Sequence, residues 1–118
     1  MCGKPEVDVD TLRAHTVLRG FTRSSPTIRY FWEVLEGWGN EERSAFIRFA
    51  WGRSRLPLAE HWPPDLRLII EALPSSRLAF LPEGHTCFFK LDLPPYNSFA
   101  VLKAKLERAI VETNVLTL

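Results

Sequence analysis

Chemistry in this chain has few places to live. The 118 residues hold two cysteines, Cys2 and Cys87, and three histidines, His15, His61 and His85. Cys87 stands out by its setting, Leu81-Pro82-Glu83-Gly84-His85-Thr86-Cys87-Phe88. A thiol works as a nucleophile only as thiolate and only when reachable. Pro82 and Gly84 favour a turn just upstream and hence surface access, and His85 and Thr86 are polar neighbours. The bland alternative is a small buried hydrophobe, the commoner fate of a free cysteine.

Other chemistries fit less well. His85 and Cys87 are two residues apart, so on one strand they would point the same way. Their backbones would still stand about 6–7 Å apart, so a dyad would need a bend. A solvated histidine that tunes the local field is at least as good a reading. Zinc takes about four ligands with paired spacing, and Cys2, His15, His61, His85 and Cys87 supply one close pair; no metal and no cofactor are expected. No glycine-rich phosphate loop occurs, since Gly37, Gly39 and Gly52 fall at helix ends.

The elements that must position Cys87 follow from periodicity. Asp8 and Asp10 precede Leu12, Ala14 and Val17, which predicts a short helix ended by Gly20. Ser24-Ser25-Pro26 starts a second helix; Ile28, Phe31, Trp32, Leu35 and Trp38 form its apolar face. Asn40 caps a third over Glu41 to Ala50, with Ala45, Phe46 and Phe49 inward and Gly52 as C-cap. Pro57, Pro63, Pro64 and Pro74 exclude long helices beyond it. Leu66 to Ile70 reads as a strand, Leu78 to Glu83 as a loop. Thr86 to Leu93 reads as an alternating strand, with Cys87, Phe89, Leu91 and Leu93 on one face and Lys90 and Asp92 on the other. Ser98 caps a last helix that turns Phe99, Leu102, Leu106, Ala109 and Ile110 inward. The expectation is one α+β domain over residues 1–118, a small, mostly antiparallel sheet covered by helices.

Charge narrows the partners. Fifteen basic and 14 acidic residues give a net charge of +1, with the signs mixed along the chain. No basic stripe exists to neutralise phosphates, so neither nucleic acid nor an anionic membrane surface is an expected partner. The chain has no apolar run of membrane-spanning length. Its polar start lacks a signal-peptide core, and two distant cysteines make no disulfide framework. A cytoplasmic location is expected, with the nucleus as the alternative. The abrupt Met1-Cys2-Gly3 start suggests a piece of a longer chain.

The run Leu81-Pro82-x-x-His85-Thr86-Cys87-Phe88-x-x-Leu91-x-Leu93-Pro94-x-Tyr96 resembles the active-site segment of HECT-type ubiquitin ligases. Cys2-Gly3-x-Pro5-Glu6-Val7-Asp8 and His15-Thr16 resemble the start of that family's C-terminal lobe. Phe31 to Leu35, Glu41-Glu42-Arg43, Phe49 and Gly52 to Pro57 resemble its middle, and Leu102, Leu106 and Ala109-Ile110 its last helix. The resemblance implies a HECT C-lobe-like fold and a ubiquitin transferase. On that reading Cys87 accepts ubiquitin as a thioester from a conjugating enzyme, which docks on a separate N-terminal lobe, and a substrate lysine then takes it. Backbone N–H groups around Thr86 to Phe88, with the Thr86 hydroxyl, would steady the oxyanion, and His85 would tune charge. Leu81, Phe88 and Phe89 are candidate ubiquitin contacts; sheet packing is the competing role for all three.

Three departures stand out. The family commonly has Asn where this chain has Phe89, and often a Phe near its end, where this tail reads Thr113 to Leu118 without one. Ala59 to Ser76 also differs from the commoner pattern. The alternatives are a non-catalytic binding module that keeps the lobe fold, and a cysteine peptidase. The peptidase would need a histidine base and an orienting Asn or Asp in reach of the thiol, for which the sequence carries no second signature.

Overall fold

In the computed structural model the structure describes residues 8–51, 62–86 and 88–117, with side chains described up to residue 112. Helix α1, Val9–Ala14, is capped by Asp8, whose carboxylate accepts from the Asp10 N–H. Strand β1, Thr16–Arg19, follows at once. Helices α2, Pro26–Gly37, and α3, Asn40–Trp51, come next. Strand β2 is Leu68–Ala72, and a 3-10 turn covers Ser75–Arg77. Strands β3, Glu83–His85, and β4, Lys90–Leu93, precede helix α4, Phe99–Thr117.

The α+β class holds, but the sheet is mixed rather than mostly antiparallel. Its strand order is β1-β2-β4-β3. β1 pairs with β2 and β2 with β4 in parallel; β3 and β4 alone run antiparallel. The cause is β1. Val17 belongs to this strand and not to the first helix, and the route from β1 to β2 passes through α2 and α3, the kind of long crossover a parallel pair requires.

The helices cover one face of the sheet. Ile28, Phe31, Val34 and Leu35 of α2 and Phe46, Ile47, Phe49 and Ala50 of α3 are buried, as are Leu68, Ile70, Leu91 and Leu93 of the strands and Leu102, Leu106, Ala109 and Ile110 of α4. Phe99, read as inward-facing, lies at the exposed start of α4. Polar ties join the layers. Trp38 Nε1 donates to Glu107 Oε2 at 2.9 Å, linking the end of α2 to α4. Arg43 of α3 donates to the Leu35 and Glu36 carbonyls and so caps the C-terminus of α2. Thr27, a buried polar residue, satisfies itself by donating to the Tyr96 carbonyl at 2.7 Å.

Strand β3 sits against the last turn of α3 through Gly84. A Cβ on Gly84 would come within 2.2 Å of the Phe49 carbonyl oxygen, so only glycine permits this approach. The contact fixes where the segment that follows β3 emerges.

Candidate active site

The segment read as one strand from Thr86 to Leu93 is a hairpin. β3 ends at His85, β4 starts at Lys90, and these two residues pair. Residues 86–89 therefore form a four-residue connection, a common hairpin length. The Phe88 N–H donates to the His85 carbonyl at 3.0 Å, closing a turn. Cys87 is the second residue of this connection in sequence and lies outside the described residues, as do Cys2, His61 and the Gly52 C-cap.

The described neighbours of Cys87 have distinct fates. Thr86 is exposed, and Phe88 is 70% exposed. Leu81 is half-buried and packs on the core. Of the two roles the sequence leaves open for Phe89, ubiquitin contact and packing, the structure shows packing: it is 1% exposed and stacks on Trp51, with ring centroids 5.0 Å apart. It belongs to the packing beneath the hairpin, not to a contact surface. Its backbone has φ of 49°, the left-handed region that leads out of the turn. Asparagine tolerates that region better than phenylalanine does, which gives the Asn-to-Phe departure a physical meaning. This chain accepts the less comfortable backbone and gains a buried ring.

His85 keeps the solvated character expected of it but gains a partner that the sequence did not show. On a single strand it would share the apolar face of Cys87, Phe89 and Leu91. The hairpin instead places it on the opposite, polar face, where its Nε2 lies 2.7 Å from Asp92 Oδ2. The Asp92 side chain is 14% exposed and that of His85 39%. The same face continues across the sheet. Lys90 Nζ stands 3.5 Å from Asp92 Oδ1 and 2.9 Å from Glu71 Oε1, and Arg19 Nη1 lies 3.9 Å from Glu71. The Glu71 carboxylate, as hydrogen-bond acceptor, holds the Lys90 ammonium above the usual lysine range, against some desolvation. Asp92 Oδ1 is buried without a hydrogen bond among the described residues.

Sequence reasoning missed Asp92 and Glu71 as site residues. The available signal was charge complementarity: His85 and Glu83 on one arm, Lys90 and Asp92 on the other, separated by a turn-sized gap. Glu83, His85 and Asp92 could together hold a metal ion, their ligating atoms lying within 4.8 Å of one another. Asp92 is already shared between His85 and the Lys90 ammonium, whose positive charge opposes a cation at the same carboxylate.

Tyr96 braces the approach to the hairpin. Its hydroxyl donates to the Phe80 carbonyl, and burial pushes the phenol well above its usual value. Phe80, 53% exposed with the Arg77 guanidinium 5.1 Å over its ring, lies on the loop leading into Leu81. No helix among the described residues is long and apolar enough to cross a membrane.

A mixed sheet with a helical layer and a cysteine-bearing hairpin is one structural class; its family is settled by comparison. The family model described as HECT-domain (ubiquitin-transferase) matches residues 1–118. The chain belongs to the HECT-domain family. It is 40% identical over 112 residues to the human E3 ubiquitin-protein ligase HERC2, covering 93% of this chain and 2% of that protein. It is 37% identical over 116 residues to the E3 ubiquitin-protein ligase RSP5 of Chaetomium thermophilum, and 36% identical over 118 residues to the E3 ubiquitin-protein ligase pub3 of Schizosaccharomyces pombe. Each of these two alignments covers 94% of this chain and 14% of the relative. The chain thus spans a small part of the relatives it matches.

Proposed function

We propose that the chain is the C-terminal catalytic lobe of an E3 ubiquitin-protein ligase and that Cys87 carries ubiquitin as a thioester. The observation that carries this reading is the family match over the whole chain; the exposure of Thr86 and Phe88, on either side of Cys87 in the sequence, supports it. The partners are ubiquitin, a conjugating enzyme docked on an N-terminal lobe, and a protein substrate with a reachable lysine.

The Cys87 thiolate attacks the thioester between the ubiquitin C-terminal glycine and the conjugating enzyme. One thioester replaces another, so the step is near balance and needs thiolate and alignment more than driving force. Backbone N–H groups of the turn suit a developing oxyanion. The amine of a substrate lysine then attacks the Cys87 thioester, leaving an isopeptide.

The test is thioester transfer. The chain is mixed at high concentration with ubiquitin, its activating enzyme and a conjugating enzyme, alone and fused to a HECT N-terminal lobe. The expected product on a non-reducing gel is a ubiquitin adduct lost with reductant and with Cys87→Ala, and replaced in Cys87→Ser by a reductant-resistant oxyester. No adduct in the fusion would sink the reading. One observation favours a second reading, a cysteine peptidase: Asp92 holds His85 as such an enzyme's third residue holds its base. Cleavage of a ubiquitin amide by the chain, without thioester exchange, would establish it.

A further inference from the structure

We infer that the groove between α3 and α4 is a docking site for a basic amphipathic helix of a partner protein, separate from the hairpin and from any transfer of ubiquitin there.

The groove opens where the end of α2 meets the first turn of α3 and the middle of α4, with a volume of about 430 Å³. Its floor is apolar. Trp38 and Ile110 lie there, 8% and 6% exposed, with the half-buried Ala45 of α3 beside them. Val111 forms the α4 wall and is 60% exposed. It follows Ile110 in the helix, and so carries the apolar surface out of the core and into solvent.

The rim is acidic. Glu41 and Glu42 come from α3 and Glu107 from α4, and no lysine or arginine among the described residues lines the groove. Carboxylates in a first turn favour the helix that bears them, which accounts for Glu41 and Glu42. Glu107 lies in the middle of α4, where no helix end calls for it. Its charge is held on the rim, because Oε2 accepts the Trp38 Nε1–H at 2.9 Å. Nearby cations are engaged elsewhere. Arg43 donates to the Leu35 and Glu36 carbonyls, and Arg108 pairs with Glu112 at 2.8 Å.

These features select the occupant. An apolar floor takes aliphatic or aromatic side chains. An acidic rim takes Lys or Arg beside them and repels nucleic acid and anionic lipid. Both walls are helices, whose backbone groups are bonded internally away from the ends, so an extended peptide finds no edge to pair with. A helix needs only side chains to dock, with apolar anchors at i, i+3, i+4 and i+7 and bases flanking them. The hairpin packs at the other end of α3, at Phe49 and Trp51. That is roughly 12 Å along the helix axis from Glu41 and Glu42, so a docked helix leaves the hairpin uncovered.

The experiment displays random peptides on phage, each of about 16 residues and hence about four helical turns. They are selected against the chain and against Val111→Arg, which puts a cation on the exposed wall. The expected winners carry Leu, Ile or Phe at helical spacing with Lys or Arg flanking them. A synthesised winner should bind Val111→Arg roughly tenfold or more weakly than wild type. In the double variant Glu42→Gln, Glu107→Gln, the amide oxygen can still accept from Trp38. Affinity there should fall about three- to tenfold, and its decline with salt should flatten. Amide shifts on binding should centre on the first turn of α3 and on residues 106–112. Melting curves identify a variant that fails to fold; if Val111→Arg does, the double variant decides. The inference is overturned by no enrichment, by enrichment of neutral or acidic peptides, by wild-type affinity in both variants, or by amide shifts elsewhere. A wild-type chain that dimerises in solution through Val111 would overturn it too, since a second copy would then cover the groove.

Discussion

The Phe89 ring stacks on Trp51, centroids 5.0 Å apart and planes 24° apart, directly beneath the hairpin that bears Cys87. Trp51 ends α3, and Phe89 ends the connection between β3 and β4, so the stack pins the hairpin to the helical layer. Two opposing effects meet at Phe89. A non-glycine residue at φ of 49° costs on the order of 1 kcal/mol. A fully buried phenylalanine stabilises by about 3–5 kcal/mol against its truncation to alanine, so burial wins.

Phe89→Ala should therefore lower stability by about 3 kcal/mol. Phe89→Asn, which suits the backbone better, should still destabilise, by roughly 2 kcal/mol once the backbone gain is subtracted. Urea unfolding of the three proteins measures both. A more stable asparagine variant would mean that backbone strain, not ring burial, governs this position.

Gly84 holds the same hairpin from its other arm. A Cβ there would lie 2.2 Å from the Phe49 carbonyl oxygen and 3.0 Å from its carbon, both backbone atoms that cannot step aside. Gly84→Ala should cost at least about 2 kcal/mol, because β3 must leave α3 to accept it. It should also slow ubiquitin loading, since the segment bearing Cys87 would shift with the strand. An alanine variant with wild-type melting and loading would contradict the close approach.

Much of this was legible in the sequence, and the failures share a cause. The apolar faces of α2 and α4 and the alternation of Leu91 and Leu93 against Lys90 and Asp92 follow from local periodicity and hold in the fold. Thr16 to Arg19 looked like the tail of a helix because four residues carry too little period to separate strand from helix. Missing that strand made the sheet look antiparallel. The hairpin was read as one strand because Cys87, Phe89, Leu91 and Leu93 keep a period of two across the turn. Asp92 consequently went unnoticed as the partner of His85. Which face a residue takes beyond a turn depends on pairing register, a long-range property that alternation alone does not encode.

Tyr96 predicts a pH dependence. Burial raises its phenol above the ordinary value of 10.0, so the native state keeps the proton at pH values where the unfolded chain loses it. Its contribution to stability is complete below pH 10 and declines as pH rises above that value, by up to about 1.4 kcal/mol per pH unit. Tyr96→Phe removes the titrating group along with the hydrogen bond to the Phe80 carbonyl. It should cost about 1 kcal/mol at pH 8 and show a shallower alkaline decline than wild type. Thermal melts at pH 8 and pH 11 test both parts; parallel declines would show that other groups control alkaline unfolding.

Phe88 and Phe89 are adjacent phenylalanines with opposite surroundings, 70% and 1% exposed. An exposed ring beside the proposed thioester contributes little to folding, so Phe88→Ala should leave stability within about 0.5 kcal/mol of wild type. Its value would lie in holding ubiquitin. Truncating a well-covered interface aromatic to alanine weakens binding by on the order of 1–2 kcal/mol, which is roughly five- to thirtyfold in affinity. Loading of ubiquitin onto Cys87 should fall by that factor in Phe88→Ala while the melting curve stays put. Phe89→Ala should show the reverse emphasis, a large drop in stability with loading impaired only through unfolding. Equal loading by Phe88→Ala and wild type would remove Phe88 from the ubiquitin surface and leave the half-buried Leu81 as the remaining apolar candidate on that arm of the hairpin.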